Sequence, residues 1–252
     1  MSRVGYQRKI AEAQKAVVEG EHPGLTVLPD LIQGTEEWHA QRRGLVTASV
    51  VGRLLTAKTI KPAENETSRD LTALLVAERI TGWTDPTYIN DDMLRGIEDE
   101  PRALDWYSRH LGAVDRIGFM VRDDWGFKIG YSPDGLVNGD GLVSNSGLAE
   151  VKSRRQKKHL QTILSNEVPA ENMAQLQCGL LVSGREWIDY ISWCGGMPMW
   201  VIRVTPDQRW FDAIVEAVRA FEVAAEQMVA DYQSAVAGLP VTERVIEQEM
   251  VI

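Results

Sequence analysis

Cysteine is scarce in this chain: Cys178 and Cys194 are the only two among 252 residues. Two thiols cannot build a disulfide framework, and they are too few for an iron–sulfur cluster, which needs about four. Their spacing also matches no metal-ligand motif. The four histidines (His22, His39, His110, His159) show no ligand spacing either and read as structural or exposed. No apolar run approaches the ~18–20 residues that cross a bilayer, and the start lacks the basic-then-apolar layout of a signal peptide. These absences point to a reducing cytoplasm and no membrane partner. Internal repeats and low-complexity linkers are missing too, so one domain with a real core is expected.

Positive charge is also in deficit, with a formal net charge of −9. Its distribution matters more than its sum. From Asp207 onward nine acids face three arginines, a local charge of −6. Lys152-Ser153-Arg154-Arg155-Gln156-Lys157-Lys158 is by contrast densely basic, and Arg42, Arg43, Arg53, Lys58 and Lys61 form a looser basic stretch. A phosphate backbone needs local positive charge, and both stretches can supply it. Either can equally be a solvated face.

Hydrophobic periodicity organises the rest. Tyr6–Glu19 has helical spacing, Thr35 can cap a short helix through Trp38 to Arg43, and a second helix is expected from Thr47–Ser49 through Leu55. Lys58–Thr67 reads as an exposed loop. Ser68–Ile80 is amphipathic, with Leu71, Leu74, Leu75 and Ile80 on its apolar side. Asp91–Leu111 follows as a helix with Pro101 as its weak point. The period then shortens: Val114–Val121, Phe127–Tyr131, Gly135–Val137 and Gly147–Lys152 read as strands. Helices at Lys157–Ser165 and Asn172–Leu181, strands at Glu186–Trp193 and Met199–Val204, and a long helix over Pro206–Tyr232 complete the order. The expected architecture is α/β, one central mixed sheet flanked by helices.

Within that frame, Ser132-Pro133-Asp134-Gly135 precedes Glu150-Val151-Lys152 by the length of a hairpin. Residues two apart in a strand share a face, so Glu150 and Lys152 project together while Val151 enters the core. Two carboxylates and a carbonyl beside a lysine suit a hard octahedral ion such as Mg²⁺, with Mn²⁺ as a substitute. Lys152 is then placed to orient a water or steady developing charge. Acid-x-lysine triplets also arise on solvated strands by chance. Here Glu150-Val151-Lys152 is the only one, and of the three Pro-Asp pairs only that at 133–134 lies a hairpin upstream of it.

Five ordered segments resemble the motifs of the phage lambda exonuclease family, the YqaJ-type viral recombinases of the PD-(D/E)xK nuclease superfamily. They are Trp38 to Ser49, Gly96 to Glu100 with Ala103 and Tyr107, Ser132 to Gly135, Glu150 to Lys152, and Met173 to Gln177. The resemblance implies a restriction-endonuclease-like core and a metal-dependent DNA exonuclease, degrading the 5′ strand of duplex ends to leave 3′ overhangs. It implies Asp134, Glu150 and the Val151 carbonyl as metal ligands, Lys152 as catalytic lysine, and Gln175 as an active-site glutamine. Glu100 and Asp124 match further acids near the metals, although Asp123 competes with Asp124, Glu98 and Asp99 compete with Glu100, and Gln177 can be mistaken for Gln175. Arg42 and Ser49, with Thr47 in the same motif, match the pocket for the terminal 5′ phosphate. Outside the motif, Arg42 would read as a surface residue and Ser49 as a helix cap. Arg154, Arg155, Lys157 and Lys158 are candidates to grip incoming duplex. The motifs divide the chain into an extension at 1–34, an exonuclease domain at 35–235 and a tail at 236–252. A ring-shaped homotrimer and a single-strand annealing protein as partner are further implications of the resemblance.

Overall fold

The computed structural model describes residues 24–86, 88–137 and 146–244; the helix expected at Tyr6–Glu19 lies outside them. In chain order the first half runs β1 (Leu25–Leu28), α1 (Glu36–Arg42), β2 (Val46–Thr47), α2 (Ala48–Val51), a 3-10 turn (Gly52–Leu54), β3 (Leu55–Thr56), β4 (Lys61–Pro62), α3 (Glu66–Thr81) and α4 (Asp91–His110). Then come β5 (Val114–Asp115), β6 (Phe119–Arg122), β7 (Ile129–Tyr131), β8 (Gly135–Val137), β9 (Gly147–Ser153), α5 (Gln156–Ser165), α6 (Ala170–Ser183), β10 (Trp187–Trp193), β11 (Trp200–Val204) and α7 (Gln208–Ala235).

The strands divide between two principal sheets rather than joining one. The larger has five strands in the order β11-β10-β9-β8-β5, and the second has four in the order β1-β6-β7-β2. Only β9 and β10 run parallel within the five-stranded sheet, so the sheet is mixed as expected. The segment expected as a single strand, Val114–Val121, breaks at residues 116–118 because its two halves serve different sheets. Gly118 is the break point. A Cβ there would sit 2.2 Å from the Leu31 carbonyl oxygen, and its own N–H donates to Pro29 O at 3.1 Å. Only a residue without a side chain can turn the chain this close to another backbone.

Strand parity builds the core. Leu148 and, across the parallel pair, Ile188 and Tyr190 face the larger hydrophobic cluster, with Leu176 of α6 and Ile214 of α7. Ala149, Val151, Trp187 and Ile191 face a smaller cluster closed by Ala103, Leu104 and Tyr107 of α4. β9 is therefore covered on both sides, as central strands with parallel neighbours usually are. Helix α4 continues through Pro101, and Leu104 and Tyr107 beyond it reach the sheet.

Several local expectations shift. Leu55 belongs to a two-stranded hairpin with β4, so the second helix ends earlier and part of the expected Lys58–Thr67 loop is paired. Asn65 caps α3 reciprocally with Ser68, and Leu74 on that helix is exposed. β1, from the stretch ahead of the motifs, pairs antiparallel with β6. No helix among the described residues is long and apolar enough to cross a membrane.

Candidate active site

The path from one sheet to the other builds the site. β7 belongs to the four-stranded sheet and β8 to the five-stranded one, so Ser132-Pro133-Asp134 is the bridge between them. Gly135 pairs with Ala149 in the β8–β9 ladder, and the preceding residue, Asp134, therefore comes level with Glu150. Asp134 Oδ2 accepts from the Val151 N–H at 2.7 Å, which fixes the carboxylate against β9.

Glu150 is 1% exposed, and the strand residues on either side of it, Ala149 and Val151, are buried and apolar. A buried carboxylate without partners costs several kcal/mol, and this one has three. Lys152 Nζ donates to Oε1 at 2.7 Å, Gln175 Nε2 donates to the same oxygen, and the Tyr131 hydroxyl donates to Oε2 at 3.3 Å. Strand parity delivers Lys152, and α6 delivers Gln175. Gln177, two residues on, turns away: it donates to Thr205 O and accepts from the Asp207 N–H, tying α6 to the start of α7. Of the two glutamines, only Gln175 touches the carboxylate pair.

Glu100 is the acid that α4 offers. Burial, and then the negative charge of Glu150, raise its carboxyl above the ordinary range, while Arg116 and Lys152 oppose the shift. Asp99 instead accepts from Ser153 Oγ at 2.7 Å, and Glu98 is exposed. Helix phase thus separates three adjacent acids. Asp134 is also raised well above its usual value, by burial first and by Glu150 second. For Lys152 burial acts downward, but Glu150 and Asp134 outweigh it and hold the ammonium protonated.

This electrostatic imbalance tests the fit to a metal. Three carboxyl groups crowd beside Lys152, and burial with the charge of Glu150 raises two of them, Asp134 and Glu100; a cation among them would relieve that repulsion. The donors are all oxygen, which suits a hard divalent cation. Among the described residues no group of three or more acidic, histidine or cysteine side chains is placed to hold a metal ion by itself. Mg²⁺ does not require one, since it keeps several waters and binds through one or two carboxylates plus substrate phosphate.

Asp124 does not join this group. It lies in the turn after β6, with Oδ2 accepting from Arg122 Nε at 2.6 Å, while Tyr131 pairs with Met120 at the other end of that hairpin. Asp124 lies four positions beyond Met120 and past the end of β6, roughly 13 Å along an extended chain. Asp123 shares the turn and does no better. The nine residues between Asp124 and Asp134 run out along β7 instead of folding the two acids together.

A second constellation lies on the other side of the bridge. Arg42 Nη1 donates to Ser132 Oγ at 3.3 Å, and Nη2 donates to Thr47 Oγ1 at 3.2 Å and Ser49 Oγ at 3.1 Å. Thr47 stands at the N-cap of α2 yet makes no side-chain cap, so its hydroxyl is left for the arginine. The guanidinium lies 4.1 Å over the Trp38 ring, whose Nε1 donates to Ser132 Oγ at 3.0 Å. Burial lowers the Arg42 pKa to about 10, with Glu78 opposing. Among the described residues Arg42 has no ion-pair partner. A partly buried cation ringed by hydroxyls is a site for an anion. Trp38 and Ser132 are the contributors that sequence reading did not single out. Both stood inside quoted motifs, but their contact spans 94 positions.

The basic run after β9 is less available than its composition suggests. Arg154 turns inward to Asn172 and to the Tyr190 hydroxyl, Arg155 pairs with Asp92 and Lys158 with Glu171. Lys157 is exposed and forms no ion pair among the described residues. His159 is fully buried: Nε2 meets Pro198 O at 2.9 Å and Nδ1 meets Ser192 Oγ at 2.8 Å. A carbonyl can only accept, so Nε2 carries the proton and the ring is a satisfied core group.

The family comparison agrees with this geometry. The model of the YqaJ-like viral recombinase domain matches residues 37–186, more than half of the chain. The chain belongs to that family. Among solved structures it is similar to an alkaline exonuclease, LHK-Exo, from Laribacter hongkongensis, at 29% identity and a TM-score of 0.70. That match covers 82% of this chain and 100% of the exonuclease, and the same protein in complex with dAMP matches equally. A phage-related exonuclease from Haemophilus somnus 129PT shares the fold at 14% identity and a TM-score of 0.56, over 75% of this chain and 96% of the other. No curated protein sequence matches. The YqaJ-like chain thus has the PD-(D/E)xK architecture expected from its motifs, with its mixed strands carried in two sheets.

Proposed function

We propose that this YqaJ-like protein hydrolyses phosphodiester bonds at the ends of duplex DNA, removing nucleotides from the 5′ strand to leave 3′ overhangs. The observation that carries the reading is adjacency. Ser132 closes the arginine pocket and Asp134 closes the carboxylate pocket, and two residues of extended chain span roughly 7 Å. That is the scale of a single nucleotide. A terminal 5′ phosphate on Arg42, Ser49, Thr47 and Ser132 would set the next phosphodiester beside Asp134, Glu150 and Lys152.

Asp134, Glu150 and the Val151 carbonyl would hold Mg²⁺, or Mn²⁺ in its place, with Glu100 at the margin. When bound, the ion supplies Lewis-acid polarisation of the phosphoryl oxygen and lowers the pKa of an attacking water. Lys152, held charged by its carboxylate neighbours, orients that water and steadies charge developing on the phosphate. Gln175 holds Glu150 from the helix side, so both groups act from fixed positions. Lys157, exposed and without an ion pair among the described residues, contacts the backbone of the incoming duplex. Action as a homotrimeric ring, in the cytoplasm of a host cell and beside a single-strand annealing protein, extends the proposal through the family.

Linear duplex labelled separately at its 5′ and 3′ ends, incubated with and without Mg²⁺ beside a covalently closed circle, tests it. Mg²⁺-dependent release of the 5′ label, sparing the circle and reduced about 10²–10⁴-fold in Lys152→Ala, is expected. Cutting of the circle would move the reading to an endonuclease on the same core. Tight binding without cleavage would leave an end-binding module.

A further inference from the structure

We propose that Tyr131 is a positioning residue that sets the rotation of the Glu150 carboxylate and thereby the affinity of the site for a divalent cation. The inference rests on the nuclease reading above.

Lys152 and Gln175 both act on Oε1 of Glu150. Both donors pull on one side of the planar carboxylate, and among the described residues only the Tyr131 hydroxyl donates to the other side. By donating to Oε2 at 3.3 Å, that hydroxyl adds a counter-restraint on rotation about the Cγ–Cδ bond. Tyr131 is 1% exposed, at the end of β7, and reaches Glu150 from the four-stranded sheet. With donors on both oxygens the carboxylate is held in one orientation beside Asp134, which stands level with it across the β8–β9 ladder. Partners of this kind behind a metal ligand typically change affinity or activity by roughly 10–100-fold when lost.

The structure also shows how room for this contact is made. A Cβ built on Gly179 would lie 2.8 Å from Tyr131 Cζ and 3.1 Å from each of its Cε atoms. The missing side chain is the space that the hydroxyl-bearing end of the ring occupies. Gly179 stands one helical turn after Gln175 on α6, so the two share a face. One helix therefore supplies the donor to Oε1 and the gap that admits the donor to Oε2.

The test is Tyr131→Phe, which removes the hydroxyl and keeps the ring, together with Gly179→Ala, which keeps the hydroxyl and displaces it. Each is titrated with MnCl₂ by isothermal calorimetry without DNA, and then assayed for cleavage over a series of Mg²⁺ concentrations. The expected result is a Kd for Mn²⁺ about tenfold weaker in both variants. The Mg²⁺ concentration for half-maximal cleavage should rise in parallel, and excess cation should restore most of kcat. A wild-type titration curve in either folded variant overturns the proposal. So does failure of Tyr131→Phe to fold, because the hydroxyl would then be serving the core. If instead the unmodified protein neither binds Mn²⁺ nor cuts DNA, the nuclease reading is what fails.

Discussion

At the scale of single residues, the site trades stability for chemistry. Asp134 and Glu150 stand level on adjacent strands, and Glu100 adds a third acid whose own carboxyl is raised by burial and by Glu150. Removing one charge while keeping its hydrogen bond should relieve that repulsion. Asp134→Asn, whose amide oxygen can still accept from Val151 N–H, is expected to raise the stability of the metal-free protein by about 1 kcal/mol, read as a higher thermal midpoint. The same variant should lose cleavage. Added Mg²⁺ should raise the midpoint of the unmodified protein and leave that of the variant nearly unchanged. Arg42 supports a separate prediction. Its fork reaches three hydroxyls at once, and a lysine cannot reproduce it. Arg42→Lys should lower the preference for 5′-phosphorylated over unphosphorylated ends about tenfold in paired kcat/KM measurements.

At the scale of elements, α4 owes its position to a set of polar ties to the end of β9. Arg95 donates to Ser153 Oγ, Ser153 donates to Asp99, and Asp92 accepts from both Arg95 and Arg155. These ties orient the helix that carries Glu100. Hydrogen bonds from Arg95 and then Arg155 hold the Asp92 carboxyl below its ordinary value of 3.8. A depressed folded-state value means that the contribution is complete above that ordinary value and fades as pH falls through the lower one. The start of α4 should therefore keep its amide protection from neutral pH down to about pH 4 and lose it below. Asp92→Asn should bring part of that loss to pH 7. Hydrogen-exchange protection factors over residues 91–100 give the measurement, and unchanged protection in the variant would show that Ser153 and Asp99 suffice.

At the scale of the molecule, an acidic protein has to engage a polyanion through local charge alone. Nine of the 36 acids fall from Asp207 onward, mainly on and after α7, while the arginine pocket and the Asp134–Glu150 pair meet where the two sheets join. Composition pointed to four cations after β9 as DNA contacts, but three are engaged within the fold. Lys157→Ala should thus reduce by about one the slope of log K against log [KCl] for binding a phosphorylated duplex end in the presence of a chelator. Arg154→Ala should act differently, lowering thermal stability through Asn172 and Tyr190 as its main effect. Fluorescence anisotropy over a salt series, paired with melting curves, separates the two.

By itself the sequence determined much that is local: most of the longer helices and strands, that Glu150 and Lys152 share a face, and that Asp134 lies a hairpin upstream. Two-residue and 3.6-residue periods are local properties, and a triplet on one strand carries its geometry with it. It also left pairs of neighbours undecided, Glu100 beside Asp99 and Gln175 beside Gln177. Helix phase against a particular strand separates these, and that phase exists only after packing. Only the tertiary structure placed Asp124 at the far end of its hairpin, split the strands between two sheets, and brought Trp38 and Arg42 to Ser132 and Tyr131 to Glu150. Those contacts join residues up to 94 positions apart, across elements whose mutual orientation is set by burial of the whole core.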